Sequence, residues 1–358
     1  MAAKKHLGTL LKAASVLLLG YLVYRAASDP QFVSLAQGEK NWPLLLCTLP
    51  ICLVTVTITI LRWHLLLRTL GLKFSVAETL RSGFLAYFVN LAPVGLVAGD
   101  SLKAVMLIHR NPGRKTEAIA TVLVDRILGL YALLLLAAIA SLFFPREQLA
   151  ELAEADQAVI MRLCAVVQTV ALCSTIGLIV MLLPGVTQSR AWDRLERAPL
   201  IGPVLDKLVK AMRVYRQRLD LILVAIAISL LIHVGYVTAI VLMTLSIGIA
   251  PAHRPSVGSI FIIVPPSMIA GALPIGFYEV AITLLFRAAS PPGAPPNMGL
   301  LIALGYRLIQ LSIAAIGLGY WLAGRSEVRG LMQEAKEMAP DESPADRDEA
   351  LSAARAIP

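Results

Sequence analysis

The chain has 358 residues, 58% hydrophobic and only 15% charged, with a mean hydropathy of +0.75. Soluble domains carry ~25% charged residues, and several apolar runs here reach the ~20 residues that cross ~30 Å of hydrocarbon. An integral membrane protein follows, with little length left for a soluble domain, and the formal charge of +9 reads as membrane topology, not as a nucleic-acid footprint.

The N-terminal stretch "MAAKKHLGTLLKAASVLLLGYLVYRAAS" has the basic start and apolar run of a signal peptide, with a cleavage reading near Ala26 to Ser28. The long apolar stretch and the quick return of the chain to the membrane favour an uncleaved first span. Six full spans are expected, at about 7–27, 42–68, 117–144, 157–183, 220–249 and 298–324. Two further apolar regions, about 80–110 and 256–290, are broken by Pro and Gly. Each is expected to be a re-entrant helical hairpin, since broken backbone is tolerated at membrane depth only against protein or a wet cavity.

Loop charges set the sidedness. The 184–219 loop carries Arg190, Arg194, Arg197, Lys207, Lys210, Arg213, Arg216 and Arg218 against Asp193, Glu196 and Asp206, so it belongs in the cytoplasm. Lys4, Lys5 and Lys12 place the N-terminus on the same side, as do Lys73, Arg81, Arg110, Arg114 and Lys115 around the first hairpin and Arg325 and Arg329 after the last span. The acidic "PREQLAELAEADQ" and uncharged "SPPGAPPN" loops fall outside. The first hairpin then opens inward and the second outward. The expected domain is a single membrane unit, 1–324, followed by a cytosolic tail, 325–358, rich in Glu, Asp, Ala and Pro and expected to be amphipathic or disordered. Cys47, Cys52, Cys164 and Cys173 all lie in apolar runs and read as small buried residues, not as a disulfide or metal set.

The stretch "NLAPVGLVAGDSLKAV" puts helix breakers beside charges, and its "LAPVG" returns as "ALPIG" 181 residues later. "LVDRILGL" and "LGYRLIQL" share that offset, so both Pro-to-Arg spacings are 33. The common offset points to a duplication: repeat 1 at about 42–144 and repeat 2 at about 220–324, in opposite orientation. Inverted repeats with discontinuous helices at the midplane are a transporter plan. The carboxylates break the register, because Asp100 maps onto Ala281 and Glu279 onto Ala98.

Arg126 and Arg307 lie about ten and nine residues into their spans, ~15 Å deep. An intramembrane charge costs at least ~2.5–3.5 kcal/mol unless paired or hydrated, so each is a functional candidate. Structural ion pairing is the competing reading: Arg126 with Asp100 or Asp125, Arg307 with Glu279. Asp100 and Glu279 also read as helix caps near N-termini that would favour anions. Arg62, Trp63 and His64 read as ordinary interfacial anchoring, and His233 as a satisfied core histidine. His6, His109 and His253 are dispersed, no nucleophile motif or Walker loop occurs, and neither cofactor, metal nor enzymatic activity is expected.

At these residues the chain resembles the lysylphosphatidylglycerol synthase transmembrane family, also called flippase-like domain proteins. The carrying segments are "RWHLLL", "GFLAYFVNLAPVGLVAGDSLKAV", "VLVDRILGLYALL", "ALPIGFYEVAI" and "LGYRLI". The resemblance implies a polytopic inner-membrane protein that moves lipids between leaflets, with an anionic or isoprenoid-linked lipid as its partner. The repeat and the two deep arginines place the expected lipid path at Asn90, Pro93, Gly95, Gly99, Asp100, Lys103, Asp125, Arg126, Pro274, Gly276, Glu279 and Arg307. The full synthase adds an aminoacyl-transferase domain; the short tail here makes lysyl transfer unexpected. The chain also departs from the family pattern at Ala98 and in "PIGFYE", where Phe277 and Tyr278 are expected to narrow the second hairpin. Two other readings stay open: a coupled carrier of a small anion, and a non-transporting subunit of a lipid- or glycan-synthesis enzyme.

Overall fold

The computed structural model describes residues 17–18, 20–25, 27–91, 98–144, 146–183, 215–271, 276–325 and 330–331. Pro93, Gly95 and Pro274 lie outside the described residues, as do the start of the first expected span, most of the 184–219 loop and the tail beyond Leu331.

The described elements are helical. A short helix, α1 (Pro30–Gln37), precedes the first long one, α2 (Trp42–Thr69). The first broken region gives α3 (Val76–Leu91) and α4 (Ala98–Arg110), followed by α5 (Lys115–Leu142). A single turn, α6 (Arg146–Ala150), leads to α7 (Glu154–Leu182). The second half repeats the order: α8 (Leu219–Ser246), the broken pair α9 (Val257–Ala270) and α10 (Phe277–Ala288), and α11 (Met298–Ala323). Among the described residues, α2, α5, α7, α8 and α11 are long and apolar enough to cross a membrane, within three residues of their expected bounds. The short α1 and α6 are additions that the apolar pattern does not signal.

Local chemistry explains the starts. Asp29 Oδ1 accepts the amide of Gln31 at 2.9 Å, with Pro30 opening α1. Ser75 and Glu78 form a reciprocal box at α3: the Glu78 carboxylate accepts the Ser75 amide at 2.8 Å, and Ser75 Oγ accepts the Glu78 amide at 3.2 Å. Ser256 Oγ accepts the amide of Ser259 at 3.0 Å and starts α9.

Helices α2 and α8 form the centre and run antiparallel. The Asn41 amide meets the Ser246 carbonyl at 2.8 Å, Thr55 faces Gly235, Arg62 reaches Ser229, and Tyr215 Oη donates to the Leu66 carbonyl at 3.2 Å. Around this pair the halves exchange partners: α3 packs on α11 and α9 on α5, while each broken pair packs arm against arm. In the first, Asn90 meets Gly99 at the closed end and Glu78 meets Arg110 at the open end, so α3 and α4 form an antiparallel hairpin. It opens where Arg114 reaches the Leu70 and Gly71 carbonyls. The second pair opens at the other end of the bundle, where Ser256 bonds Gln148 and Ala289 lines a cavity with Leu245 and Pro291.

The two ends differ in charge. Arg68, Lys73, Arg110, Arg114, Lys115, Arg216 and Arg218 stand at the first, against Glu78, Glu117 and Asp220. Asp29, Glu39, Glu147, Glu151, Glu154 and Asp156 stand at the second, against Arg25, Lys40, Arg254 and Arg287. The main core joins α2, α8, α9, α10 and α11 through Val56, Ile240, Ile263, Ile282 and Ile302. Helix α7 stays at the periphery: its buried residues are Ile160, Val167 and Ala171. Large apolar side chains such as Leu46, Val54, Leu130, Leu172, Leu223 and Leu308 face outward, as lipid solvent requires. The four cysteines are free; Cys52 is buried, but Cys47 and Cys173 lie on this outer surface, which corrects the expectation that all four are buried.

Candidate functional site

The closed end of the first hairpin is held by side chains. Asn90 Oδ1 accepts the Gly99 amide at 3.0 Å, so the last turn of one arm caps the first turn of the other. A Cβ on Gly99 would stand 2.3 Å from the Ala86 carbonyl oxygen and 2.6 Å from Asn90 Oδ1. The arms can approach this closely only with glycine there.

Asp100 follows as the third residue of α4. Arg126 donates to it in a two-pronged pair, Nε to Oδ2 at 2.6 Å and Nη2 to Oδ1 at 2.7 Å. The second half repeats the device. Glu279 is the third residue of α10. Arg307 donates Nε to Glu279 Oε1 at 3.0 Å and adds a shorter Nη2 bond to the same oxygen, while Oε2 accepts the Gly276 amide at 3.1 Å. Gly276 holds φ at 102°, in the left-handed region where glycine carries no Cβ penalty. Counted along the described helices, both carboxylates therefore lie in the first turn. Both sit where the helix dipole favours an anion.

The pairs are unequally enclosed. The Arg126 side chain is 49% exposed and Asp100 13%; Arg307 is 23% exposed and Glu279 0%. Arg126 lies ~16 Å along α5 from the basic end, so its exposed part faces the side of the bundle.

Asp125 belongs to a third pair. Arg62 donates Nε to Asp125 Oδ1 at 3.0 Å, Nη2 to the Asp125 carbonyl at 3.0 Å, and Nη1 to Ser229 Oγ. Arg62 is buried, which corrects its reading as an interfacial anchor. It ties α2, α5 and α8 together. Trp63 is fully buried and donates to Thr121 Oγ1 at 3.4 Å, and His64 Nδ1 lies 2.8 Å from Thr79 Oγ1. An arginine inside an apolar span is the available sequence signal, but its partners lie on other helices.

Lys103 is 8% exposed, with Nζ 5.0 Å from the centre of the Trp63 ring. Asp100, Asp125, Arg126 and Arg62 surround it within electrostatic range, yet no carboxylate stands within 4 Å of it among the described residues. A desolvated cation–π contact contributes ~2 kcal/mol, less than the several kcal/mol that burying a charge costs.

Tyrosines link the two halves. Tyr236 lies within electrostatic range of Arg126, Tyr87 and Tyr306. Tyr87 in turn senses Arg307. The Tyr278 and Tyr306 rings are 5.9 Å apart, and Tyr278 Oη is buried without a hydrogen-bond partner. Tyr278 is buried in the second half, whereas Phe277 is 42% exposed. His233 is satisfied only in part: Nε2 donates to the Gly129 carbonyl at 2.9 Å, and Nδ1 has no partner.

A cavity opens at each hairpin mouth. One, of about 490 Å³, is lined by Phe74, Glu78, Arg81, Met106, Arg110 and Leu331. The other, of about 520 Å³, is lined by Gln148, Glu151, Arg254, Ser256, Ser259 and Pro291. They lie at opposite ends of the bundle.

Long apolar helices, an apolar outer surface and buried charge held between hairpin and span define a multi-pass membrane protein with an intramembrane polar site. Residues 10–317 match the family described as Lysylphosphatidylglycerol synthase TM region, and the chain belongs to that family. No curated protein and no solved structure matches the chain.

Proposed function

We propose that the chain is a lipid translocase, not an enzyme, that passes an anionic or isoprenoid-linked head group between leaflets along the two ion pairs while the lipid tails remain in hydrocarbon. One observation carries this reading: each half presents a hairpin helix whose third residue is a carboxylate, clamped to an arginine deep in the following span. A head-group phosphate is a bidentate match for a guanidinium, and the resident carboxylate holds that guanidinium until the phosphate arrives. The half-exposed Arg126 side chain favours a lipid over a small soluble anion, because lipid needs a lateral way in.

On this reading the hairpins are re-entrant and the halves, about 42–144 and 220–324 of a single membrane domain, are inverted repeats. The antiparallel α2 and α8, the reciprocal packing and the opposite hairpin mouths support both. The basic end is cytoplasmic, in a plasma membrane, with both termini on that side. The deciding experiment is scrambling in proteoliposomes: head-group-labelled lipid quenched from outside, for the native chain, Arg126→Ala and Arg307→Ala. Accelerated loss of inner-leaflet signal, abolished by either substitution in folded protein, is the expected result. No acceleration with anionic or isoprenoid-phosphate lipids removes the translocase reading and leaves the small-anion carrier or a subunit of a lipid-synthesis enzyme.

A further inference from the structure

The two halves are unequal in charge. In the second, Arg307 and Glu279 cancel. In the first, Arg126 cancels Asp100 and Arg62 cancels Asp125. Lys103 is left over, buried, stacked on Trp63 and without a carboxylate of its own among the described residues. A charge in that position gains stability from a counter-anion, and the groups around it fix what that anion can be. A phosphate monoester carries about 1.5 to 2 negative charges at neutral pH, so it would leave surplus negative charge beside Asp100 and Asp125. A phosphate diester carries one.

We infer that Lys103 is the resting binding point for a single phosphate diester group, held between the Trp63 ring and the Asp100–Arg126 pair. The inference deepens the translocase reading and rests on it. It makes the first half the loading half, because the enclosed cation of the second, Arg307, is held by Glu279 until the carboxylate releases it.

The test is equilibrium binding, separate from transport. The full chain in an uncharged maltoside detergent is titrated with short-chain phosphatidylglycerol, short-chain phosphatidic acid and water-soluble glycerophosphoglycerol, reading the rise in thermal unfolding midpoint and the tryptophan emission. Phosphatidylglycerol is expected to bind more tightly than phosphatidic acid. Lys103→Met should weaken it by roughly tenfold or more, the loss expected for one charged hydrogen bond, and Lys103→Arg should retain it. Equal affinity of the native chain and Lys103→Met, or a preference for phosphatidic acid, overturns the inference. If neither variant folds, the native diester-over-monoester order decides. Glycerophosphoglycerol binding as tightly as the lipid upholds Lys103 as a diester site and makes its source a free ester. Intact scrambling with Lys103-independent binding sinks the inference alone; Lys103-dependent binding without scrambling sinks the translocase reading alone.

Discussion

Arg307 sends two N–H donors to one oxygen of Glu279, and the other oxygen holds the amide of Gly276. A single carboxylate thus fixes both the start of α10 and the charge of α11, in a place where Glu279 has no exposure. Glu279→Gln should cost ~3–5 kcal/mol of stability by stranding a largely enclosed guanidinium. Glu279→Gln combined with Arg307→Gln should cost less than the sum of the single changes by at least ~1 kcal/mol. Thermal unfolding of the four proteins in detergent checks this, and strict additivity would refute the pairing.

The matching pair in the first half is more open, so its loss should divide differently between stability and transport. With the pairs intact Asp100 is 13% exposed and Glu279 not at all, so Arg307→Ala strands the more enclosed carboxylate. Arg126→Ala is expected to unfold at a higher temperature than Arg307→Ala, yet to be equally inactive in scrambling. Equal loss of unfolding temperature would show that enclosure does not set the cost.

Gly99 admits no side chain. Gly99→Ala would push a methyl group to 2.3 Å from the Ala86 carbonyl oxygen, forcing the arms apart at a cost of ~1–3 kcal/mol, in the range of overpacking. Asn90→Ala removes the cap across the hairpin and should cost ~1 kcal/mol, with Asn90→Asp recovering most of it. Proteolysis at the hairpin and unfolding temperature report both effects.

The Arg62 pair is expected to act as a structural knot that ties α2, α5 and α8 together. Arg62→Ala should cost ~3–5 kcal/mol by leaving Asp125 buried and unpaired. Arg62→Met with Asp125→Leu should recover most of that loss, since apolar replacement of a buried ion pair is often neutral. Recovered folding with recovered scrambling would place this pair outside the lipid path; recovered folding without scrambling would place it inside.

Sidedness is open to a chemical check. In a cysteine-free background, Lys115→Cys at the basic end should react with a membrane-impermeant maleimide only after the cytoplasmic face is exposed. Glu151→Cys at the acidic end should react from outside. Labelling of both from one face would refute the opposite-end geometry.

The spans are legible in the sequence because an apolar run long enough to cross hydrocarbon seldom occurs in a chain that folds in water. The hairpin regions are legible because Pro and Gly punctuate otherwise apolar runs, and the Asp100–Arg126 and Glu279–Arg307 pairings follow from depth and charge. Arg62 misleads for a physical reason. Its distance from the span end suits snorkelling, and only the packing of α8 brings Ser229 to it. The register of Asp100 against Glu279 is hidden as well, because alignment by the proline motif ignores where each helix begins. The tyrosine bridge leaves no signal, since Tyr87, Tyr236, Tyr278 and Tyr306 come from four separate helices and meet only in three dimensions.

Helix α7 contributes little to the core, but it decides a matter of parity. The first half begins at the acidic end with α2 and returns there with α5, an even number of crossings. Were α8 to follow directly, the second half would enter from the same end and lie parallel to the first. One extra passage, by a helix that buries hardly anything, makes the count odd. The direction in which α8 and α11 run depends on a segment whose sequence needs only to be long and greasy.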